Sequence, residues 1–266
     1  ITLSALTAFA APAALAQMSD GVIKIGVMND QSGLYADLSG QGSVWAARKA
    51  VEDYCKANKC EKIEIIFADD ASTDDTVSIL KSLEIPGLRV VRHRFNAGQS
   101  AAVASGFQHA TADWVATLDG DGQNDPSDLP AMYELARKER VDCVTGVRAR
   151  RRDTWVKRIS SKIANRVRNA ITGDQVTDSG CGIRIIGRTS LREITVFNGM
   201  HRFLPTLLRR QGFSVKEHVV NHRERTRGVS KYGVHNRLWR GLRDCFGVRW
   251  YLQRAVPADR LYQETP

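Results

Sequence analysis

Short apolar stretches separated by helical patterns limit the fold of this chain more than any other feature. Residues 22–28, 63–67, 88–91, 114–118 and 142–145 each read as a strand, and 183–186 and 214–220 as two more. Between them lie helical patterns over 40–58, 74–83, 99–110, 129–139 and 155–171, with a final one over 236–255. In the first, Val44, Ala47, Val51 and Tyr54 fall at helical spacing. A Ser72/Thr73/Asp74 cluster precedes the second and is expected to cap it. Such alternation predicts an α/β chain: one Rossmann-like domain, a mostly parallel sheet and helices on both faces. Ligands then gather at the carboxyl ends of the strands. The 266 residues are enough for one large domain of this type.

The fourth strand ends in Leu118-Asp119-Gly120-Asp121-Gly122-Gln123. Two carboxylates and an amide spaced two apart suit a hard divalent cation, Mg²⁺ or Mn²⁺. A cation there is most useful when it neutralises a diphosphate. The same pattern also suits a plain acidic turn after a strand. Charge is unevenly spread: 1–147 carry 13 Lys/Arg and 20 Asp/Glu, whereas 148–266 carry 26 and 9. An acidic, metal-compatible half is thus followed by a basic half that favours anionic partners.

The five cysteines, Cys55, Cys60, Cys143, Cys181 and Cys245, form no zinc-type spacing and read as free thiols. Cys55 and Cys60 could join only if the first segment is exported. Residues 5–15 form an Ala-rich apolar run followed by a small-x-small pattern, which reads as a leader or as a fraying tail.

Several motifs resemble family 2 glycosyltransferases of the GT-A fold, from about residue 70 on. They are Asp69-Asp70-Ala-Ser-Thr-Asp-Asp-Thr76, Asn96-Ala-Gly-Gln-Ser-Ala-Ala102, Thr117-Leu-Asp-Gly-Asp-Gly-Gln-Asn-Asp-Pro126, Asp178-Ser-Gly-Cys-Gly182, His201-Arg-Phe-Leu-Pro205 and Arg225-Thr-Arg-Gly-Val-Ser-Lys-Tyr-Gly233. The branch that they look most like is the dolichyl-phosphate mannosyltransferase-like one, which loads sugars onto polyprenyl phosphate. Residues 1–70 instead resemble the N-terminus of a periplasmic branched-chain amino-acid binding protein, which points to a chimera with its seam near 66–72. The division expected is a leader-like tail (1–20), a GT-A domain (21–233) whose first 50 residues are binding-protein-like, and a C-terminal amphipathic helix and tail (234–266).

The resemblance implies metal-dependent, inverting transfer of a hexosyl group from a nucleotide-diphosphate sugar to polyprenyl phosphate. It assigns Asp119, Asp121 and Gln123 to the metal, with Asp119 also near the ribose. Asn29 and Asp30 stand where the family touches the base, and Asp70 would accept from the base or else cap a helix with Ser72. Gly98 would turn backbone N–H groups toward an anion, or serve only as a turn. Asp178 is placed near the attacking oxygen, with Asp121 as the other catalytic carboxylate. Arg148, Arg158, Arg225, Ser230 and Lys231 are the expected phosphate clamp. His201 and Phe203 would line the acceptor site, a core role being open for His201.

In the last helix Trp239, Leu242, Phe246, Trp250 and Leu252 sit among arginines. That helix reads either as lying on a membrane surface or as packed on the domain. The expected location is the cytoplasmic face of the inner membrane, with export left open by the leader-like start. A fragment of an amino-acid-binding protein and a folded but inactive chimera are the alternatives. No nucleic-acid-binding motif is present in the sequence.

Overall fold

The computed structural model describes residues 22–29, 62–73, 75–82, 87–120, 123–148, 155–192, 194–223 and 234–255, with the backbone path alone at 22–29, 62–63, 155–161 and 234–240. The strands are β1 (Val22–Asn29), β2 (Lys62–Asp69), β3 (Leu88–Arg92), β4 (Trp114–Asp119), β5 (Cys143–Arg148), β6 (Arg184–Gly187) and β7 (Val215–Val220). The helices are α1 (Thr76–Ser82), α2 (Gln99–His109), α3 (Leu129–Glu139), α4 (Trp155–Thr172), α5 (Arg188–Leu191), α6 (Leu204–Arg210) and α7 (Val234–Arg254). All seven expected strands are present. The expected helix over 40–58, Cys55, Cys60 and the leader-like start lie outside the described residues.

The strands form one sheet in the order β3-β2-β1-β4-β6-β5-β7. The pairs β1–β2, β1–β4, β2–β3 and β5–β7 are parallel. Strand β6 is antiparallel to both of its neighbours, β4 and β5. Its amino end therefore lies at the same edge as the carboxyl ends of the others.

Side chains alternate across the sheet with period two. Ile65, Phe67, Ala116, Leu118, Val144 and Ile185 pack on one face with Leu129, Met132, Tyr133 and Ala136 of α3. Ile66, Val115, Cys143 and Ile186 point to the other face, toward Leu208 of α6. A further cluster on α2, α6 and α7 joins Val103, Met200, Phe203, Leu204, Leu207, Cys245, Val248 and Leu252. Helices thus cover both faces, as the alternation predicts. Strands that are apolar on both sides can be buried only in this way.

Two local expectations need correction, and Leu252 takes one of the two readings open to its helix. Helix α1 begins at Thr76, and Ser72 does not cap it. Its hydroxyl and N–H donate to Asp69 instead, the N–H at 3.3 Å. Phe203 is 2% exposed in the core cluster under Arg168, whose guanidinium carbon lies 5.0 Å from the ring centre. It therefore cannot line an acceptor site. Leu252 is likewise core, although its neighbours Phe246 and Trp250 are exposed.

Candidate active site

The carboxyl edge of the sheet gathers the chemistry. In the strand register Met28 stands opposite Asp119 and Asn29 opposite Asp69, so the ends of β2, β1 and β4 lie side by side. The antiparallel β6 leads the 178–183 loop across the end of β4. There Gly182 lies so close to Asp119 that an added Cβ would sit 2.0 Å from its Oδ2. Thr117 Oγ1 holds the loop by donating to the Gly182 carbonyl at 2.6 Å.

Asp119 is oriented from three sides. Its N–H donates to Asn124 Oδ1 at 2.9 Å, Gln99 Nε2 donates to its Oδ1 at 3.0 Å, and Gly182 backs the carboxylate. Gln99 is the first residue of α2, so a helix start is tied directly to the end of β4. The donor on Oδ1 is a neutral amide, and the Asp119 carboxylate also acts through its charge on the Arg148 guanidinium.

Beyond Asp119, residues 123–128 pair with the segment after β7. Asn124 and His222 form an antiparallel bridge, and Arg223 N–H donates to the Gln123 carbonyl at 2.9 Å. Arg223 forks onto Asp125 at 2.9 Å, and Asn221 donates its N–H and Nδ2 to Asp128 at 2.8 and 2.9 Å. His222 Nε2 stands 3.5 Å from Gln123 Nε2. Gln123 and His222 thus lie side by side beyond the end of β4, and the oxygens of Asp119 and Gln123 are of the kind that Mg²⁺ or Mn²⁺ takes. Among the described residues no three His, Cys, Asp or Glu side chains cluster as a metal site. Asp121, the expected second carboxylate, lies outside the described residues, as do Asp30, Arg225, Ser230, Lys231 and the side chains of Asn29 and Arg158.

Asp178 and Arg148 are brought together and engage each other. Arg148 donates from its N–H, Nε and Nη2 to the Asp178 carboxylate at 3.2, 2.7 and 2.8 Å. Burial opposes charge on Arg148, but the hydrogen bonds and charge of Asp178 outweigh it, so its pKa rises above the ordinary value. As a phosphate clamp, Arg148 would have to act with two of its nitrogens already bound to Asp178.

Asp70 and Gly98 have roles that sequence alone did not separate. Asp70 is 1% exposed, and its carboxylate accepts from Ala97 N–H at 2.8 Å and Gly98 N–H at 2.6 Å. His93 Nδ1 lies 2.7 Å from the same carboxylate, and His93 Nε2 lies 2.7 Å from Ser105 Oγ. Asp70 thus anchors the loop that starts α2. The Gly98 N–H is directed at this internal carboxylate rather than at a bound anion. Gly98 has φ +89°, a conformation that favours glycine.

His201 meets Ser100 Oγ at 2.8 Å, and the same hydroxyl accepts from Gly199 N–H at 2.8 Å. Burial first, then Arg202 and Arg184, push the His201 pKa down to about 3, so the ring is neutral. Cys143, Cys181 and Cys245 are free and buried, as expected. Gln99, His93 and His222 escaped the sequence reading. Gln99 lay inside a quoted motif, whereas nothing local marks the two histidines.

Known proteins resemble this chain in sequence and in fold. A dodecaprenyl-phosphate galacturonate synthase of Rhizobium johnstonii is 35% identical over 196 residues, 71% of this chain and 58% of that protein. An undecaprenyl-phosphate 4-deoxy-4-formamido-L-arabinose transferase of Sodalis glossinidius is 34% identical over 182 residues, 66% of this chain and 56% of that protein. The chain therefore spans less than two thirds of the length of these relatives. Among solved structures, glucosyl-3-phosphoglycerate synthase from Mycobacterium tuberculosis in complex with Mn²⁺, UDP and phosphoglyceric acid superposes with a TM-score of 0.62 at 15% identity, covering 88% of this chain and 80% of that one. A mannosyltransferase from Pyrobaculum calidifontis in complex with GDP-Man and Mn²⁺ gives 0.55 at 17% identity, over 87% and 70%. These likenesses establish the GT-A fold expected from the motifs. The sequence profile described as Glycosyl transferase family 2 matches residues 46–195, more than half of the 266, and the chain belongs to that family.

Proposed function

We propose that the chain transfers a hexosyl group, with inversion, from a nucleotide-diphosphate sugar to a polyprenyl phosphate. One observation carries this reading: the Asn124–His222 bridge and the Arg223 N–H bond to the Gln123 carbonyl hold residues 221–223 against the segment that follows Asp119. A donor diphosphate needs an oxygen-ligated cation and basic groups together. Both relatives are polyprenyl-phosphate sugar enzymes by name, which supports the acceptor class.

Asp119, Asp121 and Gln123 would hold Mg²⁺ or Mn²⁺, with Asp119 also near the ribose, and the His222 imidazole lies next to Gln123. When bound, the cation neutralises charge growing on the leaving diphosphate. Asn29 and Asp30 face the base in this reading. Arg158, Arg225, Ser230 and Lys231 hold phosphate in this reading. The acceptor phosphate is already anionic, so attack needs little help from a base. The Arg148–Asp178 pair orients the approach beside Asp119. His201, neutral at working pH, offers hydrogen bonding rather than charge to an acceptor.

Work on the cytoplasmic face of a membrane, where nucleotide sugars are made, fits this chemistry. None of the described helices is long and apolar enough to cross a bilayer. Helix α7 would meet the surface peripherally.

Calorimetry with UDP, GDP and their sugars, with Mn²⁺ and with chelator, tests the reading. Binding should depend on the metal, and Asp121→Ala should weaken it at least tenfold. Equal binding with chelator present would remove the cation from the proposal.

A further inference from the structure

We infer that Arg184, Thr145 and His201 line a buried subsite that takes one oxyanion of a substrate, a phosphate or a carboxylate. The inference rests on the reading above and extends it to two residues of the sheet, Arg184 and Thr145, that no motif had marked. Arg184 opens β6, and the strand register sets it opposite Thr117 of β4 on one side and Thr145 of β5 on the other. Cross-strand partners share a sheet face, and so do residues two apart. Arg184 therefore stands on the face that carries Asp119, one pair deeper than the contact of Asp119 with Gly182. Helix α2 covers that face: its Gln99 donates to Asp119, and its Ser100 meets His201 at 2.8 Å.

These polar side chains are not satisfied from within. Arg184 is 3% exposed, and its Nε is enclosed without a hydrogen-bond partner. Among the described residues no carboxylate pairs with its guanidinium. Thr145 is fully buried, and its Oγ1 likewise has no partner. Cys143 and Cys181, both within reach of the Arg184 charge, are pushed up to about 12 and about 11, chiefly by burial, so neither supplies a thiolate. Burial, then Arg202 and Arg184, keep His201 neutral. Asp178, the nearest carboxylate along the chain, is held by Arg148.

A guanidinium buried without a counter-charge is costly, and such an orphan calls for a group that completes it. Water would bond Nε and Oγ1 but leave the charge unbalanced. An oxyanion balances it. The guanidinium fork fits two of its oxygens, the Thr145 hydroxyl donates to it, and the neutral His201 ring adds one N–H. The reaction offers two sources: the acceptor phosphate, or a carboxylate on the transferred sugar.

Calorimetry of the full chain with Mn²⁺ tests this, with geranyl phosphate, UDP-glucose and UDP-glucuronate as probes and UDP as reference. Arg184→Met keeps the bulk and removes the charge. It should weaken geranyl phosphate, or UDP-glucuronate relative to UDP-glucose, by about tenfold or more. Thr145→Val should weaken the same probe about threefold. Loss of geranyl phosphate puts the acceptor phosphate in the subsite, and loss confined to UDP-glucuronate puts the sugar carboxylate there. Without ligand, Arg184→Met should unfold at or above the wild-type temperature, because an unpaired buried charge is gone. Unchanged affinity for every probe in both variants overturns the subsite. So does a lower ligand-free unfolding temperature in Arg184→Met, which would mean that the chain itself pairs the guanidinium. A wild type that binds no UDP sinks the donor reading instead, and geranyl phosphate still decides the subsite.

Discussion

Gly182 shows how closely the candidate site is built at the scale of single residues. An added methyl would sit 2.0 Å from Asp119 Oδ2, nearer than any real contact, so either the loop or the carboxylate must move. Thr117 and the strand pairing of Arg184 hold the loop, which leaves Asp119 to shift. Gly182→Ala is therefore expected to lower Mn²⁺-dependent nucleotide affinity at least tenfold, because ligands must be held within about half an ångström to work. Calorimetry measures this directly, and unchanged affinity would show that the loop yields instead. Gln99 acts on the same carboxylate from the opposite side, at 3.0 Å. The sequence marked Asp119 and Asp70 as candidates but not the groups that hold them. Asp119 was legible because it ends an apolar strand in an acidic motif. The partners of Asp70 lie 23 to 28 residues away, and no local pattern announces such contacts.

At the scale of elements, apolar runs announced all seven strands, since period and length carry that signal. The direction of β6 was not legible, because four residues with apolar sides read alike in either direction. Yet that reversal carries Asp178 and Gly182 to Asp119. Of helix α6 only a start near His201 and Phe203 was legible: five of its seven residues are buried, so its own pattern shows no apolar period. The join between α2 and the turn before α6 makes a pH prediction. His201 is ordinarily near 6.5 and is held at about 3 when folded, by burial and then by Arg202 and Arg184. Below its ordinary value the unfolded chain takes a proton that the folded one refuses. Stability is therefore full above pH 6.5 and falls as pH drops toward 3. Between pH 7.5 and 5.5 this group alone should cost about 1.4 kcal/mol. Urea unfolding at the two pH values should show that loss in the wild type and a smaller one in His201→Gln. An equal loss in both would place the acid sensitivity elsewhere.

At the scale of the whole molecule, α7 has one buried side and one exposed side. Residues 234–266 read in sequence as an amphipathic helix and tail, which left open whether the helix lies on a membrane surface or packs on the domain. The structure ties the helix into the domain: Cys245, Val248 and Leu252 complete the cluster that buries Phe203 and Met200. Arg210 of α6 also donates to the Leu252 carbonyl at 2.8 Å. A helix that closes a core in this way should unfold with the domain, not before it. Leu252 is 9% exposed, so Leu252→Ala should cost about 2–5 kcal/mol of global stability. Phe246→Ser, on the exposed side of the same helix, should stay within about 0.5 kcal/mol. Urea unfolding followed by both tryptophan fluorescence and far-ultraviolet circular dichroism distinguishes the cases. One transition shared by both probes, shifted by Leu252→Ala, makes α7 part of a single cooperative unit. An early transition confined to fluorescence, with the main one unmoved by Leu252→Ala, would make it an attachment instead.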